Sequence, residues 1–318
     1  MISELHPDDN FHVPSSDSPY WTETSWWCFS IPERKLSVQL YPFFRANQHV
    51  AAAGVFVWND QGAHDHNIVY YKNFWHLPLP QQQLSDIKLP NNLSIRCLNP
   101  LTCYHLGYED PDEGNEILVD VTFTASNAPH YLGRSHLDQP GHYEGHIVLH
   151  GERIEVDYYG FRDRTWGRRP QFGQAQVKGG TARGGYAYGS ASATDSFHFI
   201  TWDKEDGKGD VAIHGHYQRD GQWAKIVHAR REVVERSADS GFPARVLITG
   251  ADELGRELHI EGRCLNQFGF FINPNMFTIN CLTEWQCDGK TYYGEDHDNF
   301  SAPAARQFFR KQLGFRPA

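Results

Sequence analysis

No stretch of about 18 consecutive apolar residues occurs in this 318-residue chain, which excludes a membrane-spanning helix. Nor is there a basic excess. Lys and Arg number 29 against 39 Asp and Glu, for a formal net charge of −10 at pH 7. Nucleic-acid binding needs a basic footprint, so nucleic acid is excluded as a partner; the one dense basic cluster, between Arg162 and Arg169, is interrupted by an acid. The six cysteines, Cys28, Cys97, Cys103, Cys264, Cys281 and Cys287, form no C-x-x-C pair. A chain of this length does not depend on disulfide staples, and the thiols are expected to be free and buried or half-buried, rather than zinc ligands or nucleophiles. No G-x-G-x-x-G after a strand, no P-loop and no G-x-S-x-G occurs. The opening residues, MISELHPDDNF, are acidic and polar and lack the basic–apolar–small order of a signal peptide. A cytoplasmic location is the expectation.

What is present is an aromatic-rich globular composition. Hydrophobic residues make up 40% and charged residues 21%, and aromatics reach 14% against only 2 Met. Aromatic and β-branched residues favour strands, and Tyr and Trp line apolar ligand pockets while keeping one polar handle. The chain reads as a succession of short strands and turns. Ile117–Thr124 alternates apolar and polar residues. His146–Leu149 and the run from Ile154 to Tyr158 flank a turn at His150–Gly151. Val211–Gln218 and Gln222–His228 flank Asp220–Gly221, and Cys281–Gln286 and Lys290–Tyr293 flank Asp288–Gly289. An Asp-Gly pair between two strand patterns is a strong hairpin signal. Arg245–Thr249 and Glu257–Glu261 enclose the ADELGR turn.

The pattern predicts an all-β protein of two closely packed antiparallel β-barrel units. These are assigned to residues 1–150 and 151–318, with no flexible linker and no repeat at the residue level. Two segments depart from it. Leu77–Asn92 is rich in proline and glutamine and reads as a loop or lid. Ser301–Phe315 reads as a terminal helix: Ser301 caps it, Pro303 sits in its first turn, and Gly314 ends it. Gly179–Gly180 and Gly184–Gly185 read as a mobile turn.

The stretch from Gly160 to Arg169, GFRDRTWGRR, follows a strand-like run and sets Asp163 between two arginines. In an extended conformation Arg162, Arg164 and Trp166 face one way, and Phe161, Asp163 and Thr165 the other. Asp163 is therefore either a structural salt-bridge anchor or a tuned proton donor: burial raises a carboxyl pKa and a close arginine lowers it. Upstream by 27 residues, His136–Leu137–Asp138–Gln139 places His136 and Asp138 on one side of an extended chain. On neighbouring strands, His136, Asp138 and Asp163 can converge at one barrel mouth. They would supply a proton donor, an acceptor and an orienting group. The plainer alternative has His136 and Asp138 satisfying loop backbone groups.

These residues carry a resemblance. The phrase HLDQP…GHYEGHIVLHGERIEVDYYGFRDRTWGRR resembles the signature of a lipocalin-like family of two-barrel proteins. That family includes carotenoid hydratase (hydroxyneurosporene synthase), AttH-like proteins and bacterial relatives. In them an H-x-E-Q segment precedes G-x-R-D-H-S-W-G-x-R. The stretches ETSWWCFSIPE and CLTEWQCDGKTYYGE are also similar, so the likeness spans nearly the whole chain. Two residues depart: Asp138 stands for the usual Glu and Arg164 for the usual His. The resemblance implies two lipocalin-like barrels, with a C-terminal helix here, and cofactor-independent acid–base chemistry on hydrophobic molecules. It makes Asp163 the general acid, assisted by His136, and has Tyr158 or Tyr159, Arg162 and Trp166 shape the site.

Other constellations are weaker. His64 and His66, and again His214 and His216, form H-x-H pairs that can offer two imidazoles to a metal, but no Glu follows the first pair at short spacing. With 18 His in the chain such pairs arise by chance. No metal and no cofactor is expected. Arg45, with Tyr41, Phe43 and Trp26, reads either as core aromatics with a surface arginine or as a substrate wall with a polar anchor. The resulting expectation is a lyase adding or removing water across a carbon–carbon bond of a terpenoid, steroid or aromatic substrate. Retro-aldol cleavage or isomerisation is served by the same relay. A non-catalytic carrier of a hydrophobic small molecule, and an interaction protein with no ligand, are the alternatives; a homo-oligomer is compatible with either.

Overall fold

The computed structural model describes residues 5–112, 116–169, 183–203, 209–273, 275–312 and 314. The chain forms two compact units. Unit 1 comprises Met1–Ile31, Ser37–Val57 and Tyr70–Arg169; unit 2 comprises Pro32–Leu36, Trp58–Val69 and Pro170–Ala318. The fold is all-β with two barrel-type sheets and one C-terminal helix, as the strand and turn pattern predicts. No helix among the described residues is long and apolar enough to cross a membrane.

Unit 1 is built on strands β1 (Trp21–Ile31), β2 (Leu36–Arg45), β3 (Val50–Trp58), β4 (Tyr70–Pro78), β5 (Asp86–Lys88), β6 (Ser94–Asn99), β7 (Cys103–Asp110), β8 (Ile117–Ala125), β9 (His130–Tyr131), β10 (His136–Leu149) and β11 (Glu152–Arg168). They form one curled sheet in the order β4-β3-β2-β1-β11-β10-β8-β7-β6-β5, with β9 on β10. β11 pairs with β10 from Glu152 to Thr165 and with β1 from Gly160 to Arg168. That double pairing carries unit 1 on to Arg169, past the division at residue 150 drawn from the sequence. Its core is aromatic: Trp27 meets Tyr104 and Phe123 at ring distances of 5.1 and 5.5 Å, and Tyr143 meets Phe29 and Phe123 at 5.0 Å each.

Leu77–Asn92, expected to be a loop, contains β5. Leu84, Ile87 and Leu89 are buried, and this apolar anchorage holds the segment as an edge strand against β6. Proline and glutamine content alone does not reveal it.

Unit 2 contains β12 (Arg183–Ser192), β13 (Asp195–Asp203), β14 (Asp210–Arg219), β15 (Gln222–Arg236), β16 (Pro243–Asp252), β17 (Glu257–Cys264), β18 (Phe268–Asn273), β19 (Met276–Cys287), β20 (Lys290–Ser301) and the helix α1 (Ala302–Gln312). β17 pairs with β19 as well as β16, which closes the sheet into a barrel of eight strands. Closure removes the open edges that a flat sheet exposes. Phe197, Phe199, Tyr217, Val246, Ile248, Ile260, Trp285 and Tyr292 fill it. At α1 the Ser301 hydroxyl accepts the Ala304 amide at 3.4 Å, and Phe308 and Phe309 pack with Phe242 and Phe300.

The three short hairpins form where the sequence predicts. His150 and Gly151, Asp220 and Gly221, and Asp288 and Gly289 all have positive φ, the backbone that two-residue primed turns require. Gly184 and Gly185, read as part of a mobile turn, lie instead inside β12; Gly179 and Gly180 fall outside the described residues. A Cβ at Gly185 would come within 2.8 Å of Arg231 Cδ, so the missing side chain makes room for a buried arginine. Arg231 lies against Asp210, Asp296 and Asp298. All six cysteines are free.

Candidate functional site

The alternation of β11 and its pairing with β10 and β1 create two chemically distinct faces. Asp138 lies opposite Asp163 and His136 opposite Thr165 on one side. Trp26 lies opposite Asp163 and Thr24 opposite Thr165 on the other. Directly paired residues in an antiparallel sheet share a face, so Thr24, Trp26, His136, Asp138, Asp163 and Thr165 stand together. Leu137, Gln139, Arg162, Arg164 and Trp166 stand on the opposite face.

On the first face the three candidate proton-handling groups converge. One ligand-type atom from each of His136, Asp138 and Asp163 lies within 4.8 Å of the others. The His136 ring is held at both ends: Nε2 is 2.9 Å from Asp138 Oδ2 and Nδ1 is 2.6 Å from Thr165 Oγ1. Asp138 is fully buried, whereas His136 and Asp163 keep part of their surface accessible. This gradation orders the groups. Asp138 is placed to orient the imidazole, and Asp163 is the more accessible of the two carboxyls.

Burial alone would push the His136 pKa down. The Asp138 carboxylate, through charge and hydrogen bond, and the Asp163 charge outweigh it and raise the pKa above its usual value. A histidine whose folded-state pKa is raised contributes stability that is fully present below its unfolded value, about 6.5, and lost as pH rises through the folded value. His136→Gln should therefore narrow its stability deficit against the native protein as pH is raised from 6 towards 9. Paired thermal melts across that range check this, and a constant or widening deficit would contradict it. The same three groups are also a donor set that could hold a cation.

The opposite face is structural. Arg162 donates to Gln139 Oε1 at 2.7 Å and lies 4.3 Å over the Tyr104 ring. Arg164 donates to Glu23 Oε2 at 2.7 Å and to the backbone carbonyls of Asp8 and Asn10. Trp166 stacks on His12 at 4.1 Å, and His12 itself reaches Glu23 and Asp8 at 3.1 Å. Arg164 and Trp166 therefore strap residues 8–12 to the sheet. Arg164 lies across the strand from Asp163 and is committed to Glu23.

The remaining predicted residues are dispersed. Tyr158 opposes Tyr143, on the face of Arg162. Tyr159 shares the face of Asp163 but lies further along the strand, 5.1 Å from the His142 ring. Arg45 closes β2, where the chain enters a short 3-10 turn, and its burial lowers the guanidinium pKa. One residue missed as a site member joins the cluster. Arg169 Nη1 donates to Thr24 Oγ1 at 3.3 Å, and Thr24 lies opposite Thr165 on the face of Asp163. Arg169 carried a signal in the sequence, as the closing arginine of the G-x-R-D-H-S-W-G-x-R pattern. Tyr41, read from the sequence with Phe43 and Arg45, lies 4.3 Å from the Phe43 ring.

The H-x-H pairs behave differently from each other. His64 and His66 stack at 5.6 Å in a loop of unit 2. His214 and His216 each lie 5.9 Å from His198 on β13. Tyr186 packs 4.6 Å from His198 and stacks on His297 at 5.4 Å, and His297 Nε2 meets Glu295 Oε2 at 2.7 Å. This histidine–tyrosine cluster of unit 2 has only the H-x-H spacing as a sequence signal.

Three solved structures share the fold. A putative AttH from Nitrosomonas europaea has TM-score 0.56 at 13% identity, over 88% of this chain and 91% of that one. Kievitone hydratase from Nectria haematococca has TM-score 0.51 at 8% identity, over 89% of each chain. CghA has TM-score 0.52 at 9% identity, over 95% of this chain and 97% of that one. At such identities the likeness is one of fold, and it agrees with the AttH-like resemblance read from the motifs. No curated protein matches the sequence. A family match covers residues 6–295, from the strap to β20, and by it the chain belongs to the family described as "Domain of unknown function (DUF7064)".

Proposed function

We propose that this protein is a cofactor-independent lyase of the hydratase or dehydratase type. It acts by proton transfer on a hydrophobic terpenoid, steroid or aromatic substrate. The observation that carries the reading is the convergence of His136, Asp138 and Asp163 within 4.8 Å on one face of the β10–β11 pair. Two carboxyls and an imidazole whose pKa the carboxylates raise can hold a proton and pass it on. In hydration, Asp163 gives a proton to one carbon and water adds to the other. The His136–Asp138 pair accepts the proton that water releases and returns one to Asp163, so the net change is H and OH across the double bond. Trp26 shares the face of Asp163 and supplies an aromatic wall on which a developing cation is stabilised. The fold shared with a hydratase supports the same reading.

The test is carbon–deuterium exchange. The protein is incubated in D2O, with and without EDTA, with kievitone and a panel of unsaturated terpenoids and steroids, and the products are read by mass spectrometry. The expected result is one deuterium bound to carbon in at least one compound, unaffected by EDTA. Tight binding without exchange would make the protein a carrier, and exchange abolished by EDTA would place a cation in the cluster.

A further inference from the structure

The H-x-H pair of β14 and a histidine of the adjoining strand give unit 2 three imidazoles on one face, a donor set that the acid–base chemistry of His136, Asp138 and Asp163 does not use. We infer that His198, His214 and His216 form a binding site for a zinc-class divalent ion, with a fourth position open to water or another oxygen donor. The site is built from unit 2 alone, and it does not depend on the lyase reading.

Strand register places the three ligands. His198 pairs directly with His216, and Ile200, two residues on, pairs with His214. Direct partners share a face, as do alternate residues of one strand, so all three imidazoles stand on one side of the β13–β14 ladder. The register shift in this pair comes only after Ile200 and leaves that alternation intact. Phe197, Phe199 and Tyr217, on the other side, fill the barrel. Gly215, between the two histidines of β14, permits a close approach of the strands: a Cβ there would lie 2.3 Å from the His198 carbonyl oxygen. The H-x-H spacing thus gains a third member that only strand pairing supplies.

The distances suit one ion. A ring nitrogen of His198 and one of His214 lie within 4.8 Å of each other, and the His214 and His216 rings are each centred 5.9 Å from that of His198. Imidazoles that share a zinc at about 2.0–2.1 Å have ring centres roughly 5 Å apart, so modest side-chain rotation brings them into range. His198 and His216 are fully buried, whereas His214 keeps part of its surface accessible, so the ligand set is reachable from the side of His214. His297 is not a member: its Nε2 meets Glu295 Oε2 at 2.7 Å, and Tyr186 packs against both its ring and that of His198. Imidazole donors select zinc, copper or nickel over magnesium and calcium. Three protein ligands leave the fourth tetrahedral position free.

Equilibrium dialysis of the untagged full chain, stripped with EDTA and returned to zinc chloride, tests the site, with bound metal read by elemental analysis. The native protein should retain one zinc per chain, and cobalt(II) in its place should show the visible absorption of a four- or five-coordinate ion. His214→Ala should weaken zinc binding at least ~100-fold, the upper end of what losing a hydrogen-bond partner of a ligand costs, with a native melting profile. His64→Ala and His136→Gln should leave zinc binding unchanged; the first separates this site from the other H-x-H pair, the second from a cation held by the cluster of unit 1. Absence of stoichiometric zinc in the native protein overturns the inference. So does undiminished binding in His214→Ala, or loss of binding in His64→Ala or His136→Gln. Should His214→Ala not fold, His214→Gln, closer in size, decides in its place. Zinc binding without deuterium exchange would remove the lyase and keep this site. Exchange without zinc binding would remove only this inference.

Discussion

Asp163→Asn should lower turnover by at least ~100-fold, the usual contribution of a positioned acid or base, while leaving the melting temperature within a few degrees. The amide has nearly the shape of the carboxyl but holds no transferable proton. Asp163 is partly accessible, lies opposite both Asp138 and Trp26, and is separated from Arg164 by the plane of the sheet. Its replacement therefore removes a chemical group without opening the core. If the proton is transferred in the transition state, kcat and kcat/KM should fall together. Arg164→Met should do the reverse: it strips Glu23 and the strap at Asp8 and Asn10 of their partner and should cost stability first. A folded Asp163→Asn protein with turnover within threefold of native on the compound identified by deuterium exchange would end the acid–base assignment.

The second large effect concerns the barrel of unit 2. Arg231 is 1% exposed and grips Asp296 with Nε and Nη2, both at 2.6 Å, while Nη1 lies 3.0 Å from Asp210. Arg183 and Arg236 approach Asp298 but not Asp296. Arg231→Leu leaves two buried carboxylates without their main countercharge, which costs about 3–5 kcal/mol. For a chain of this size that is a fall in melting temperature on the order of 10 °C. The sign with pH follows from linkage. In the variant the stranded carboxyls have raised pKa values, so folding favours their protonated forms, and the deficit shrinks as pH falls towards the unfolded carboxyl range near 4. Denaturant titrations at pH 5 and 8 measure this. A loss below about 1 kcal/mol at pH 8 would mean that the Asp pair finds other compensation. Because the burden falls on carboxylates, Arg231→Leu combined with Asp296→Asn should recover part of the loss.

Much of the fold is legible in the sequence because strand and turn signals are local. Asp220–Gly221 and Asp288–Gly289 announce their hairpins through residues that tolerate positive φ. The two-residue alternation of β11 correctly separates Asp163 from Arg162 and Arg164 on covalent geometry alone. The short strand β5 was hidden because Leu84, Ile87 and Leu89 gain meaning only from the sheet edge that buries them. Gly185 was hidden in the same way, since its small size serves Arg231, far along the chain.

GFRDRTWGRR and HLDQ are thus two-sided by local geometry, and the residue types that could move a proton are evident from the sequence by itself. Which partners they meet is a matter of register. Strand pairing sets Asp138 against Asp163 and His136 against Thr165; a slip of one residue would send these side chains to opposite faces. The commitment of Arg164 to Glu23, the bond from Arg169 to Thr24, and the closure of the second barrel by β17 on β19 are likewise long-range contacts. They depend on chain segments brought together from far apart, which periodicity and spacing do not encode and only the folded sheet decides.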